Sequence, residues 1–220
     1  MKKAEREEML RLKLAQMKKY EEALYEQGAS YIGGVDEVGR GPLAGPVVAA
    51  CVILPKDFDV IGVDDSKKLT PKKREQLAPL IKEKAIAYGL GMADEKVIDD
   101  INILEATKGA MRTAVGKAVK MLEERTGAGL DHVLFDAVTI DDLGIDQTAI
   151  VKGDGKSVSI AAASIFAKVT RDAMMVKYAE KYPGYAFESN KGYGTKAHFE
   201  GIEKLGLCPI HRRTFLKKYL

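Results

Sequence analysis

The chain is poor in the residues that build disulfide frameworks and zinc sites. It has two cysteines, Cys51 and Cys208, and three scattered histidines, His132, His198 and His211. None has the close spacing of a metal-binding motif, which excludes a disulfide scaffold and argues against a zinc enzyme. Any metal here would be held by oxygen. Long apolar runs are missing as well: stretches such as 47–54 fall far short of the roughly 20 residues that cross a bilayer. After Met1-Lys2-Lys3 the sequence continues Ala4-Glu5-Arg6-Glu7-Glu8, without the apolar segment of a secretory signal. No membrane association and a cytoplasmic location are the default expectations. There is no GxxxxGK[ST] loop for nucleoside triphosphates, no internal repeat and no low-complexity linker.

What is present is an ordinary globular composition, 46% hydrophobic and 30% charged over 220 residues. That is enough for one sizeable core with or without an appendage. The net charge of +3 is small, but it is unevenly spread. Lys67-Lys68 with Lys72-Lys73-Arg74, and the tail from His211 to Lys218, form basic clusters. Basic clusters are usually solvated surface; several of them in a chain that also carries an acidic site weaken that reading and leave room for a nucleic-acid partner.

Residues 1–27 place Met9, Leu10, Leu12, Leu14 and Met17 at a loose helical spacing, and Gly28 stops the pattern. This predicts an N-terminal helical extension over 1–28, docked on a body of 29–220. Strands are expected over 31–38 and 47–54, separated by a Gly/Pro-rich stretch. Thr70-Pro71 opens a helix running to about Lys84, followed by a strand over 85–92. Asn102, with Glu105 three residues on, resembles a capping box and opens an amphipathic helix ended near Gly127. Strands over 132–138 and 148–152 follow, then a helix over 157–181 and a last one over 195–205, closed by Gly206 and Pro209. Short early connections predict antiparallel pairing and later helical crossovers parallel pairing. The fold class is therefore α/β, a mixed five-stranded sheet flanked by helices with a C-terminal helical segment.

Four acids look out of place in such elements. Asp36-Glu37 interrupt an apolar strand; alternation would turn them to opposite faces unless the neighbouring glycines let the strand bend. Asp136 ends the run Val133-Leu134-Phe135. Asp172 falls on the helical stripe Ala161, Ile165, Val169, Val176, Ala179, where an unpaired carboxylate would be costly. Lys168 or Arg171 could pair with Asp172, but no matching buried cations are evident for all four acids. A carboxylate cluster needs positive charge, which one or two Mg²⁺ or Mn²⁺ ions would provide, and such a site hydrolyses phosphodiesters.

Three loops could hold a sugar-phosphate backbone. Gly39-Arg40-Gly41 directly follows the first acidic pair. Lys152-Gly153-Asp154-Gly155-Lys156-Ser157 leads into a helix N-terminus, a seat for phosphate. Asn190-Lys191-Gly192-Tyr193-Gly194-Thr195 leaves Tyr193 between glycines, free to stack on a sugar or base.

The run Gly34-Val35-Asp36-Glu37-Val38-Gly39-Arg40-Gly41-Pro42-Leu43-Ala44-Gly45-Pro46-Val47-Val48 resembles the opening signature of the ribonuclease HII family. Asp65-Ser66-Lys67-Lys68-Leu69, the 152–157 loop, Ala167-Lys168-Val169-Thr170-Arg171-Asp172 and Lys191-Gly192-Tyr193-Gly194-Thr195 follow in that family's order. The resemblance covers roughly residues 30–215. It implies a ribonuclease H-like fold and an endoribonuclease acting on RNA–DNA hybrids and on single ribonucleotides in duplex DNA. Cleavage would fall on the 5′ side of the ribonucleotide by two-metal-ion catalysis with Mg²⁺ or Mn²⁺, leaving 3′-hydroxyl and 5′-phosphate ends. It implies Asp36, Glu37, Asp136 and Asp172 as catalytic, metal-holding residues. Gly39, Arg40 and Gly41 would grip the backbone, Tyr193 would pack on the deoxyribose after the ribonucleotide, and Lys67, Lys152 and Lys156 would touch phosphate. Asn190 and Ala173 depart from the family's usual histidine and basic residue. Nothing in the residues indicates an oligomer, so a monomer is expected. A nuclease for branched DNA, a strand-transfer enzyme and a non-enzymatic nucleic-acid-binding module are the competing readings.

Overall fold

Alternation along the strands decides the layers. In a computed structural model describing residues 3–219, β1 (Ile32–Val38) and β2 (Val47–Ile53) pair antiparallel near the middle of a five-stranded sheet. On β2, Val47, Ala49, Cys51 and Ile53 face one core, and Ala50 and Val52 face another. A strand covered on both sides reads as a continuous apolar run. β3 (Ala87–Ala93) adds antiparallel to β2, whereas β4 (His132–Asp136) and β5 (Asp146–Ile150) add in parallel on the other side of β1. The order is β3-β2-β1-β4-β5, and the mixed pairing follows the expected connection lengths.

Helix α3 (Pro71–Lys84) and the long α6 (Val158–Lys181) cover one face, and α5 (Ile103–Thr126) covers the other. Small residues allow α5 to lie very close. A Cβ placed on Gly89 or Gly91 of β3 would fall 2.0 Å from the Ala114 carbonyl oxygen or 1.9 Å from that of Ala110. No L side chain fits there without moving backbone.

The N-terminal segment forms two helices where the spacing predicts one, α1 (Lys3–Met17) and α2 (Lys19–Glu26). At the break the Lys18 N–H is shared between the Leu14 and Ala15 carbonyls. Leu14 and Met17 are buried with the α3–α6 core, and Gly28, at φ +101°, turns the chain into β1. Residues 1 and 2 of the expected extension lie outside the described residues.

Other boundaries shift for local reasons. β4 ends at Asp136 because Ala137 takes φ +59° and donates its N–H to the Ile150 carbonyl. β5 begins at Asp146, earlier than the apolar residues suggest, because it is an edge strand whose outer residues are exposed. Two short helices are additional, α4 (Glu95–Ile101), capped by Asp94, and α7 (Phe187–Asn190); α8 (Lys196–Leu205) follows Thr195 as expected. At Asn102 half of the capping box forms: its side chain accepts from the Leu104 and Glu105 N–H groups, while the Glu105 carboxylate lies 3.6 Å from Lys108.

The contrast between two glycines tests the close helix–sheet contact. Gly91→Val should lower the urea-derived unfolding free energy by about 3 kcal/mol through overpacking. Gly116→Ala, on the open face of α5, should raise it by about 0.5–1 kcal/mol.

Candidate active site

Two buried arginines shape the loop that leaves β1. Arg171 and Arg212 are both fully buried. From Arg171, Nε donates to the Pro46 carbonyl at 2.9 Å, one terminal nitrogen to Lys191 at 2.9 Å and the other to Ala44 at 3.1 Å. Arg212 donates to the carbonyls of Gly45 (3.0 and 2.7 Å), Gly39 (2.6 Å) and Arg40 (2.9 Å). Burial depresses both guanidinium pKa values, to about 10 for Arg171 and about 9 for Arg212. With Arg74, which approaches Asp172, these are buried arginines that the sequence reading does not find. Arg171 and Arg212 serve main-chain carbonyls and form no ion pair with the carboxylates among the described residues. Gly39, at φ +98°, is needed because a Cβ would meet Arg171 Nε at 2.3 Å.

The helical phase of α6 explains Asp172. The deeply buried positions run Ile160, Ser164, Ala167, Arg171, Met175, while Val176 is exposed and Asp172 half-buried. The stripe expected from apolar residues thus holds only for the first turns. Towards its C-terminal end α6 buries the Arg171 side of the helix, since a guanidinium with a full set of carbonyl partners can be buried. Asp172 turns into a groove, 2.8 Å from Lys168 Nζ and 3.9 Å from the Arg74 guanidinium.

The acidic group forms where parallel strands end. β1 and β4 pair in register up to Val35 with Phe135, so the next residues, Asp36 and Asp136, come level on adjacent strands. After β5 the chain turns through Lys152, at φ +58°, into a single 3₁₀ turn, Gly153–Gly155. This turn returns Asp154 to the same place. Carboxylate oxygens of Asp36, Asp136 and Asp154 all lie within 4.8 Å of one another. Asp36 and Asp154 are buried and Asp136 is half-buried. Burial, and then repulsion from Glu37, raise the Asp36 pKa well above the usual carboxylate range. Burial also raises those of Glu37 and Asp136, and the negative charge of Asp136 adds to the rise at Glu37. Hard divalent cations suit such an all-carboxylate donor set, and their charge would offset the repulsion.

The other predicted residues separate into those at this centre and those away from it. Glu37 borders it, paired with Arg40 at 3.3 Å. Lys67 reaches Asp154 at 2.9 Å. Gly41 lies beside the Tyr193 ring, 3.6 Å from where its Cβ would stand, and Tyr193 is 45% exposed. Lys152 and Lys156 are exposed on the turn flanks. Asp172 is not in the group. Asp154, read from sequence only as part of a phosphate seat, is. A usable signal was there: an acid set between two glycines would spoil an anion seat but suits a cation site.

The Tyr193 loop is held from behind. Asn190 accepts from the Gly192 N–H at 2.8 Å and donates to the Tyr185 carbonyl at 2.7 Å, so this departure from the family pattern packs the loop. His198 Nδ1 lies 2.9 Å from the Tyr193 carbonyl and must carry a proton to bond it. Neutral His198 then offers Nε2 as acceptor to His211 Nε2 at 3.0 Å, and His211 Nδ1 accepts the Cys208 N–H at 2.9 Å. Ala173, the other departure, is exposed on the groove beside Asp172.

Residues 33–218 match the family model described as ribonuclease HII. The chain belongs to the ribonuclease HII family. Ribonuclease HII of Caldanaerobacter subterraneus subsp. tengcongensis is 54% identical over 208 residues, 94% of this chain and 83% of that protein. That of Listeria innocua is 56% identical over 214 residues, 97% and 78% of the two chains. Ribonuclease H2 from Pyrococcus horikoshii superposes with a TM-score of 0.63 at 29% identity, covering 84% of this chain and 93% of that one. RNase HII from Archaeoglobus fulgidus, solved in complex with PCNA, gives 0.65 at 25% identity over 84% and 94%. The fold is that of ribonuclease H, and as a ribonuclease HII the chain is a nuclease that cuts internally at RNA. Among the described residues no helix is long and apolar enough to cross a membrane.

Two stability measurements test these supports. Arg212→Met leaves the Gly39, Arg40 and Gly45 carbonyls without their donor and should lower the unfolding free energy by about 3–5 kcal/mol in urea. The His211 imidazole is pushed down to about 4 by burial and by the neighbouring His198, against about 6.5 when unfolded. The unfolded state therefore binds more protons between those values. Its contribution to stability is complete above the upper one and is lost as pH falls toward the lower. Thermal unfolding followed across that window should show this decline, and His211→Phe should flatten it.

Proposed function

We propose that this ribonuclease HII hydrolyses the phosphodiester on the 5′ side of a ribonucleotide, in RNA–DNA hybrids and at single ribonucleotides within duplex DNA. The products would be 3′-hydroxyl and 5′-phosphate ends. The observation that carries the reading is the convergence of Asp36, Asp136 and Asp154 within 4.8 Å, on the strand end that continues into Gly39-Arg40-Gly41 with Tyr193 beside it. Asp36, Asp136 and Asp154, with Glu37 at the margin, would hold one or two Mg²⁺ or Mn²⁺ ions. When bound, such ions supply Lewis acidity toward the phosphate and offset charge that develops on the leaving oxygen. This carboxylate set takes Asp154 in place of Asp172, because Asp154 has an oxygen within 4.8 Å of Asp36 and Asp136 whereas Asp172 lies outside that group, in a groove with Lys168 and Arg74.

The remaining residues recognise substrate. The turn at Gly39–Gly41 carries no side-chain bulk at either glycine, so main-chain N–H groups can approach a phosphate, with Arg40 partly exposed beside them. Tyr193 offers an exposed ring for a sugar face, and a ribose 2′-hydroxyl distinguishes the target from plain DNA. Lys67, Lys152 and Lys156 line the approach as phosphate contacts. The protein would work as a monomer on nucleic acid.

A labelled duplex with one ribonucleotide, assayed with Mg²⁺ or Mn²⁺ and then with EDTA beside an all-DNA control, tests the substrate. A metal-dependent nick 5′ of the ribonucleotide, absent from the control, is expected; cleavage of the all-DNA duplex would point to a different nuclease. Asp36→Asn and Asp154→Asn should each reduce the rate by about 100-fold or more, the scale of losing a charge-stabilising group. Asp172→Asn should retain a rate within about tenfold of wild type. The reverse ranking of Asp154 and Asp172 would return the site to the set implied by family resemblance alone.

A further inference from the structure

Glu21 on α2 is only 3% exposed, in a segment otherwise rich in solvated charge. Its Oε1 accepts the Ser157 hydroxyl at 2.6 Å and the Ser159 N–H at 3.0 Å. Its Oε2 is buried with no hydrogen-bond partner among the described residues. A buried carboxylate is costly, and this one lies at the N-terminus of the 24-residue α6, where the helix dipole favours negative charge. A carboxylate on the exposed face of α2 would carry no such desolvation cost.

The contacts run from Glu21 to the acidic group through one hydrogen-bond chain. Ser157 is the N-cap of α6, accepting the Ile160 N–H at 3.2 Å. Its own N–H donates to the Gly153 carbonyl at 2.9 Å. Gly153 in turn donates its N–H to Asp136 Oδ1 at 2.8 Å, and the next residue is Asp154. The second group held by Glu21 leads to the other strand. Ser159 packs its backbone on Gly34, whose Cβ would lie 2.1 Å from the Ser159 carbonyl carbon, and Gly34 is two residues before Asp36. Both donors fixed by Glu21 thus belong to the segment that aligns all three carboxylates.

We propose that Glu21 is a positioning residue for the acidic centre, and that through it the N-terminal helix pair sets the metal affinity of this enzyme. The inference rests on the reading of Asp36, Asp136 and Asp154 as the metal site. Removing the carboxylate frees Ser157 and Ser159, lets the 153–157 turn shift, and misaligns Asp154 and Asp136 against Asp36. Groups that orient metal-holding residues from behind typically change metal affinity by about 10–100-fold when removed.

The test compares full-length wild type, Glu21→Gln and Glu21→Ala. Mn²⁺ binding is titrated by the EPR signal of the free ion, thermal unfolding is followed by circular dichroism, and kcat and KM are measured on the single-ribonucleotide duplex. Glu21→Ala should weaken Mn²⁺ binding roughly tenfold and lower kcat at fixed metal, with KM for the duplex unchanged. Glu21→Gln, whose amide oxygen still accepts both bonds, should bind Mn²⁺ within about twofold of wild type. Should Glu21→Ala fail to fold, Ser157→Ala, which deletes only the hydroxyl in the chain, is judged by the same Mn²⁺ titration. A folded Glu21→Ala or Ser157→Ala with a lower melting temperature but unaltered Mn²⁺ affinity overturns the inference alone. A wild-type chain with no saturable Mn²⁺ site overturns the metal-site reading and this inference together.

Discussion

The loops around Gly39–Pro46 and Tyr193 depend on two buried positive charges that have no acidic partner among the described residues. Arg171 and Arg212 sit close enough to repel each other, and what keeps them there is a ring of main-chain carbonyls. Residues 39, 40, 44, 45, 46 and 191 face their guanidinium groups. A guanidinium presents its donors in a flat fork, so each arginine fixes several peptide planes at once. The irregular loop between β1 and β2 is thereby tied down at the carbonyls of Gly39, Arg40, Ala44, Gly45 and Pro46. The glycines are the steric consequence: Gly39 and Gly45 in this loop, and Gly192 in the Tyr193 loop, adopt positive φ, and a Cβ there would meet Arg171, Met175 or the Ala44 carbonyl.

The same construction links the two halves of the site. Arg171 belongs to α6, Arg212 to the C-terminal segment, and the Lys191 carbonyl to the loop that carries Tyr193. The Gly39–Pro46 and Tyr193 loops are therefore referenced to one helix. The acidic centre is referenced to that helix too, at its other end, through Ser157, Gly153 and Asp136. The single helix α6 spans both. Through α6 the carboxylate cluster and the Gly39–Gly41 and Tyr193 loops are thus held at a set separation, which the proposed metal site and backbone grip would both require.

Charge is divided accordingly. Carboxylates face one another at the strand ends, where burial raises their pKa values, and lysines stand at the margin, with Lys67 touching Asp154. The basic cluster at 211–213 reads in sequence as a surface for phosphate, yet His211 and Arg212 are interior. Only Arg213 of the three faces solvent. Counting positive residues along the chain therefore overstates the positive surface.

Strand periodicity, the glycine punctuation and the helix caps at Thr70, Asn102, Ser157 and Thr195 are local, and the sequence by itself determined the sheet, its mixed pairing and most helices. It also determined that Asp36 and Asp136 were catalytic candidates, because charge at the end of an apolar strand has few other uses. Which further acid joins them was decided by tertiary structure. Asp154 lies in the turn before α6 and Asp172 in the second half of that helix. Their distances from Asp36 depend on parallel strand register and a 3₁₀ turn, neither of which leaves a periodic trace. The burial of Arg171 in place of Asp172 was likewise invisible, since the carbonyls that make an interior guanidinium tolerable come from residues far away in the chain. Local patterns record what a residue prefers on its own element; only the folded chain supplies the partners that reverse that preference.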